Sequence, residues 1–171
     1  MIFGSFACFA LAVLIALVAY FLRRSVADEW LPEELRQASI VMIEKTFRTD
    51  LQFPVVGRVD RAYRLDSGLH VLMENKNHNR PVAFESDIAQ VSLQGWLLRQ
   101  NEIPTAPYGY VVVNDRGSKT RTAIRVDLYS DARCEQLIQR YLDLRAQRMN
   151  PRKVSGRKCN SCGHRMRCKG E

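Results

Sequence analysis

Apolar residues that recur at helical or strand spacing predict a small domain of helices and strands. The stretch 31–48 is predicted to be a helix, because apolar residues recur on one face and Pro32 suits a first helical turn. Strand-like runs follow at 53–65 and 69–77. The short turn between them, at 66–68, contains a glycine and predicts that the two runs pair as a β-hairpin.

The remaining elements complete a mixed α/β pattern. A helix, two strands and a helix are predicted, in this order, at 84–101, 108–115, 121–128 and 130–149. Helices alternating with pairs of strands predict one mixed sheet flanked by helices. We therefore expect a core domain over 25–150 and a tail over 151–171.

The N-terminal segment bears on where this domain lies. Residues 2–22 are almost all apolar and uncharged, and about 20 such residues are enough for a helix to cross a bilayer. A cleaved signal peptide is the alternative, but no basic segment precedes the run and no small-residue cleavage site follows it. Residues 1–24 are therefore predicted to be a single-pass transmembrane anchor. Arg23 and Arg24 place the following domain in the cytoplasm by the positive-inside rule.

The predicted hairpin brings charged residues together. Pairing around the turn places Asp60 opposite Glu74, with Cβ atoms about 5 Å apart on one face. Lys76 projects to the same face because side chains alternate along a strand. Two close carboxylates repel each other unless a cation lies between them, so these oxygens suit Mg²⁺ or Mn²⁺, with the Asn75 backbone carbonyl as a further ligand. Lys76 would orient a metal-bound water or stabilise charge on a phosphate.

A plainer interpretation of these residues is a solvent-exposed cross-strand ion pair, which is the common fate of a glutamate and a lysine two residues apart in a hairpin. The neighbouring histidines do not separate the two interpretations. His78 is predicted to be a polar loop residue, and His70 a structural residue on the second strand.

Several short motifs, taken in order, carry a resemblance to one nuclease family. They are a GRVD segment that ends at Asp60, an ENK segment at 74–76, Gln90 in the second predicted helix, and three cysteines near the C-terminus. Over residues 31–168 this arrangement resembles the PD-(D/E)XK nuclease superfamily. It is most similar to the RecB-like branch, and there to the CRISPR-associated exonucleases that carry a C-terminal cysteine cluster.

The resemblance implies a restriction-endonuclease-like fold and metal-dependent cleavage of DNA phosphodiester bonds. It also implies that Asp60 and Glu74 are metal ligands. Lys76 would be the catalytic lysine, and Gln90 a helix residue that faces the site.

The sequence departs from the family pattern at two points. The family helix usually reads Q-x3-Y, whereas here Gln90 is followed four residues later by Gln94. A histidine often found in the helix before the hairpin is also absent, and Glu44 or Glu34 is a candidate carboxylate in its place. The missing tyrosine favours an alternative function, in which a catalytically degenerate nuclease fold serves as a DNA-binding or adaptor module at the membrane.

Three cysteines within ten residues, Cys159, Cys162 and Cys168, predict a metal site in a reducing compartment. In the resembling exonucleases such a triplet holds an iron–sulfur cluster together with one distant cysteine, which implies a 4Fe–4S cluster here. Cys134 is a candidate fourth ligand. His164 is the alternative, and a Cys3His set suits Zn²⁺.

The excess of positive charge is concentrated near the C-terminus. Nine Lys and Arg and one acidic residue lie from Arg145 to Glu171, so this segment, which includes the tail, accounts for the whole net charge of +8. A local basic patch predicts a polyanionic partner with salt-dependent affinity, either DNA or an anionic membrane surface. The metal ligands within it favour DNA, with contacts from Arg152, Lys153, Arg157, Lys158, Arg165 and Arg167. Exposed aromatic residues would stack on unpaired bases if they do not belong to the core, and the candidates are Trp96, Tyr108 and Tyr110.

Overall fold

The computed structural model describes residues 13–18, 29–50, 53–115, 117–118, 120–154 and 156–169. The chain divides into two compact units, Met1–Cys134 and Glu135–Glu171. Each unit is described separately below.

The first unit is built on a five-stranded mixed sheet in the order β1-β2-β3-β4-β5. All neighbouring strands are antiparallel except β3 and β4, which are parallel, and helix α2 forms the crossover between them. The elements of this unit are α1 (Glu33–Arg36), β1 (Ser39–Thr49), β2 (Val55–Arg64), β3 (His70–His78), α2 (Glu85–Gln100), β4 (Thr105–Asp115) and β5 (Arg121–Asp127).

Helical structure follows the sheet. Helix α3 spans Asp131–Arg145, and the boundary between the two units falls within it. The second unit then contains a 3-10 helix at Arg157–Ser161 and a short helix α4 at Arg165–Lys169.

The predicted helix over 31–48 is wrong. Only a four-residue helix forms, at Glu33–Arg36, and residues Ser39–Thr49 form the edge strand β1 paired with β2. The helical spacing of Leu35 and Met42 is coincidental, because both are buried but on different elements. The segment is rich in β-branched residues, which pack well on a pleated sheet, and pairing with β2 decides the outcome.

The other element predictions are confirmed, with boundaries that shift by a few residues. The register of the hairpin is also confirmed, since β2 and β3 pair from Arg64 with His70 to Arg61 with Met73, and Asp60 and Glu74 are the next residues beyond the last pair. Gly68 in the turn has a φ of 84°, a left-handed conformation that glycine adopts without strain.

The two faces of the sheet bury different residues. Leu72 and Glu74 face helix α2, whereas the alternate residues Val71 and Met73 belong to a cluster on the opposite face. Helix α2 lies close to the sheet, since a Cβ placed at Gly95 would be only 3.1 Å from Leu72 Cδ1. The helix therefore covers the strand face that carries the charged motif.

The predicted membrane anchor at 1–24 lies mostly outside the described residues. Residues 13–18 are helical, with exposed side chains. In the described ranges, no helix combines the length and apolar character needed to cross a membrane. The membrane attachment and the cytoplasmic placement of the domain stay predictions.

Candidate active site

A buried glutamate is the centre of the site. Glu74 lies on β3 beneath α2, with 2% of its surface exposed. Oε1 accepts hydrogen bonds from Lys76 Nζ at 2.8 Å and Gln90 Nε2 at 2.6 Å, while Oε2 accepts one from Gln94 Nε2 at 2.7 Å. A buried carboxylate is stable only when such donors replace its lost hydration, so the pattern excludes the exposed ion pair considered above.

Lys76 is held between two acceptors. Its Nζ lies 2.6 Å from Gln90 Oε1 and 2.8 Å from Glu74 Oε1, and about a fifth of the side chain remains exposed. Gln90 thus donates to Glu74 and accepts from Lys76, which locks the three side chains together. The ammonium is oriented and still accessible to a ligand.

The environment of Glu74 opposes its ionisation. Burial raises the pKa of the Glu74 carboxyl above its ordinary value, and the nearby charge of Asp60 acts in the same direction. Hydrogen bonds from Lys76 and Gln94 partly offset this pKa shift by stabilising the ionised form. A further positive charge at this point would favour the carboxylate.

Asp60 completes the acidic pair from the neighbouring strand. Its Oδ2 accepts the backbone N–H of Asn75 at 3.1 Å, so the carboxylate is fixed across the hairpin. The N–H and C=O groups of one strand residue point to the same edge, so the Asn75 carbonyl also lies on the β2 side. This edge lies just beyond the last paired residues, Arg61 and Met73.

These oxygens fit a hard divalent cation. Asp60 and Glu74 supply carboxylates, and the Asn75 carbonyl is available on the same edge. Across the described ranges there is no group of three His, Cys, Asp or Glu side chains placed to share a metal ion. An ion held here would complete its coordination with water or phosphate oxygens, as Mg²⁺ commonly does. The buried Gln94 Oε1 has no partner among the described residues, and water around a cation would offer it a donor.

Helix α2 supplies two amides rather than one. Gln90 and Gln94 are four residues apart, so both face the sheet, and Gln94 is 5% exposed. The sequence prediction included Gln90 but treated Gln94 only as the residue that replaces a tyrosine. The four-residue spacing was the available signal for a second site residue.

A further side-chain contact joins β3 to α2. His78 is the last residue of β3, so its assignment to a loop is wrong. His78 Nε2 lies 2.9 Å from Asp87 Oδ2, which also accepts the Phe84 backbone N–H at the start of the helix. This pair ties the end of the strand to the beginning of α2. His70 has a structural contact as predicted, with Nδ1 donating to the Pro104 carbonyl.

The two additional candidate carboxylates are engaged elsewhere. Glu44 lies on β1 with a left-handed φ of 51°, and it pairs with Arg58 at 2.8 Å. Glu34 accepts hydrogen bonds from the hydroxyl groups of Tyr108 and Tyr110. Tyr110 belongs to the cluster on the face opposite Glu74, so Glu34 does not reach the site.

The aromatic candidates for base stacking belong mainly to the interior. Trp96 is 2% exposed and Tyr110 is 6% exposed, so neither offers a surface to a base. Tyr108 is partly exposed, and its ring already stacks with the Arg125 guanidinium at 3.8 Å. The core interpretation of Trp96 and Tyr110 is confirmed.

The cysteines fall in different units. Cys134 is buried in the first unit, and its Sγ lies 3.6 Å from the Ser92 carbonyl. Cys159 lies in the 3-10 helix of the second unit, and Cys168 in α4. The absence of a three-residue metal group in the described ranges applies to these thiols and His164 as well. The cluster, its fourth ligand and the role of the basic tail stay predictions.

The fold and the site together define a class of protein. A mixed five-stranded sheet with two carboxylates and a lysine on the strands of one hairpin, covered by a helix, is consistent with a restriction-endonuclease-like α/β fold. The sequence model of the PD-(D/E)XK nuclease superfamily matches residues 10–169, and the chain belongs to this superfamily. Members of the superfamily are generally metal-dependent nucleases.

Two further comparisons bear on the fold and on close relatives. The structure is similar to one described as "Crystal structure of SSO0001", with a TM-score of 0.51 and 15% sequence identity over 95% of this chain and 72% of that chain. At this identity the similarity shows the fold alone. No curated protein matches the chain.

Proposed function

We propose that this protein is a metal-dependent deoxyribonuclease that hydrolyses DNA phosphodiester bonds, with exonuclease-like action. The observation that carries the proposal is the buried Glu74 carboxylate, held by Lys76, Gln90 and Gln94 beside Asp60. A structural ion pair would not require two amides aimed at one carboxylate. A site that must present a charged oxygen and an ammonium in fixed positions does require them.

The residues of the site have separate roles in the proposed reaction. Asp60, Glu74 and the Asn75 carbonyl would hold Mg²⁺ or Mn²⁺, which when bound polarises phosphate oxygens and lowers the pKa of water. Lys76 Nζ lies beside the carboxylate and donates to the attacking water or to a phosphate oxygen on which charge develops. Gln90 fixes the direction of that ammonium through its own Oε1.

Replacing Glu74 with glutamine tests the proposed function. The full-length protein is expected to degrade DNA with Mn²⁺ and to stop when the ion is chelated. Glu74→Gln keeps the shape of the side chain but removes the charge that holds the cation, so hydrolysis should fall by about 10²- to 10³-fold or more. Release of nucleotides from end-labelled DNA measures both effects.

Glu33→Gln, at an exposed position on helix α1, is the matched control and should retain full activity. If Glu74→Gln degrades DNA as fast as the unaltered protein, the catalytic proposal fails. If the unaltered protein and Glu74→Gln both bind DNA but neither degrades it, the alternative of a degenerate DNA-binding or adaptor module is favoured. The absence of the family tyrosine is the observation behind that alternative.

For the tail we propose a 4Fe–4S cluster on Cys159, Cys162 and Cys168, with Cys134 or His164 as the fourth ligand. Such a cluster would hold the basic residues in one geometry for binding DNA phosphates, and zinc on a Cys3His set is the alternative. The support is the resemblance to exonucleases with a C-terminal cysteine cluster and the local positive charge.

Metal analysis of anaerobically purified protein checks this proposal. Iron with inorganic sulfide is expected, and Cys162→Ser should lose it and bind DNA more weakly, most of all at low salt. Separate Cys134→Ser and His164→Ala variants identify the fourth ligand. Cys8→Ser is the control, because Cys8 lies in the apolar segment 2–22 that is predicted to be the membrane anchor. Stoichiometric zinc would contradict the iron–sulfur assignment, and protein without metal would contradict both.

A further inference from the structure

Gln94 makes a contact that no other residue of the site reproduces. Its Nε2 donates to Glu74 Oε2 at 2.7 Å and to the Arg58 backbone carbonyl at 3.1 Å. Both partners are acceptors only, so the amide nitrogen must face them and the orientation of the side chain is determined. The same NH2 group therefore joins β2 to β3.

That junction lies where the two metal-binding strands separate. The pairing of β2 with β3 ends at Arg61 and Met73, and Asp60 and Glu74 come next. Arg58 lies two residues before Asp60, on the same strand. Gln94 therefore contacts both strands close to the two acidic side chains.

The hydrogen bonds on Glu74 are unevenly distributed. Oε1 has two donors, from Lys76 and Gln90, and these occupy both of its lone pairs. Oε2 has one donor, from Gln94, and keeps a lone pair for a cation. The last torsion of a glutamate is soft, so without Gln94 the carboxylate could turn under the pull of the two donors on Oε1.

The hydrogen bonding of the Gln94 amide is incomplete. Its Oε1 is buried and has no hydrogen-bond partner among the described residues. A buried acceptor without a donor costs about 1–3 kcal/mol, so such a group in a native site calls for a ligand or water that supplies a donor. A hydrated divalent cation beside Glu74 brings such donors.

We propose that Gln94 is a positioning residue of the metal site, which presents Glu74 Oε2 to the cation and sets the distance between Glu74 and Asp60. Gln90 has a different task, since it orients Lys76. The two amides of α2 therefore act on different steps, one on cation binding and the other on turnover. This inference rests on the proposed metal-dependent function.

Binding of Mn²⁺ to the full-length protein without DNA tests the proposal, with free Mn²⁺ measured by electron paramagnetic resonance. Gln94→Met keeps the length of the side chain but removes both donors, and it should raise the Mn²⁺ Kd by about 10- to 100-fold. Gln90→Met should change the Kd by only about threefold or less, because Oε2 keeps its donor, yet lower the hydrolysis rate at saturating Mn²⁺ by about tenfold or more. Gln100→Met, at the end of the same helix, should change neither.

The outcomes separate the two proposals. If Asp60→Asn weakens Mn²⁺ binding but Gln94→Met does not, Gln94 has only a structural role and the inference is overturned. If the unaltered protein does not bind Mn²⁺, the proposed function fails first.

Thermal melts of the metal-free samples show whether each variant folds. Gln94→Asn is one methylene too short to reach both acceptors, and it replaces Gln94→Met if that variant does not fold. Gln94→Asn should weaken binding in the same direction, and an unchanged Kd would again overturn the inference.

Discussion

Replacing Lys76 with methionine is expected to slow DNA hydrolysis by about 10²- to 10⁴-fold while Mn²⁺ binding is retained. The ammonium contacts Glu74 Oε1 and Gln90 Oε1, and it is the accessible positive charge beside the carboxylate. Methionine is nearly the same length but cannot donate a proton or stabilise charge on a phosphate. Cation binding should not depend on this contact, since the oxygen ligands proposed for it are those of Asp60, Asn75 and Glu74.

Single-turnover cleavage of end-labelled DNA at saturating Mn²⁺ measures this effect, together with the Mn²⁺ Kd of the same samples. Loss of Lys76 removes a positive charge that would repel a cation bound beside Glu74, so the Kd should stay the same or decrease. Lys45→Met, at an exposed position on β1, is the control and should cleave at the unaltered rate. A Lys76→Met variant that cleaves normally would remove the lysine from the mechanism, and one that no longer binds Mn²⁺ would make it part of the metal site.

Replacing Leu72 with alanine is expected to lower the free energy of unfolding by about 2–5 kcal/mol. Leu72 is fully buried between β3 and α2, where a Cβ at Gly95 would already lie 3.1 Å from its Cδ1. The close helix–sheet approach leaves few side chains able to fill the cavity. Proteins have a total free energy of unfolding of about 5–15 kcal/mol, so this loss is a large fraction of the total. The melting temperature should therefore fall by about 10 °C.

Ile43→Ala is the comparison for this experiment, because Ile43 lies on β1 and is 61% exposed. Its loss removes little buried surface and should shift the melting temperature by only a few degrees. Chemical denaturation in urea measures the free energy of unfolding of both variants, and thermal denaturation measures their melting temperatures. Equal shifts for Leu72→Ala and Ile43→Ala would contradict the packing described here.

The register of the hairpin was predictable because it depends on local information. A strand has a period of two, and a short turn with glycine at a left-handed position fixes which residues face each other. Counting outward from this turn placed Asp60 opposite Glu74 and Lys76 on the same face, and the pairing of Arg61 with Met73 agrees. The two facing carboxylates suggested a cation site, with an exposed ion pair as the alternative. The family resemblance then favoured the metal site and added Gln90.

The segment 31–48 was not predictable in the same way. Its apolar spacing matches a helix, but residues 39–49 pair with β2, a partner that follows later in the chain. The energy of that pairing and of the buried Met42 and Phe47 is a property of the assembled sheet. Local propensity cannot report it.

The sequence by itself determined the strands of the hairpin, the shared face of its charged residues and the position of helix α2. The tertiary structure decided which residues of α2 meet them. Glu74 is buried because the helix covers that face. The rotation of the helix over the sheet brings Gln94 to Glu74 as a second amide donor, and it brings Asp87 to His78. That rotation follows from close packing at Gly95 and Leu72, a contact between distant parts of the chain that no local pattern contains.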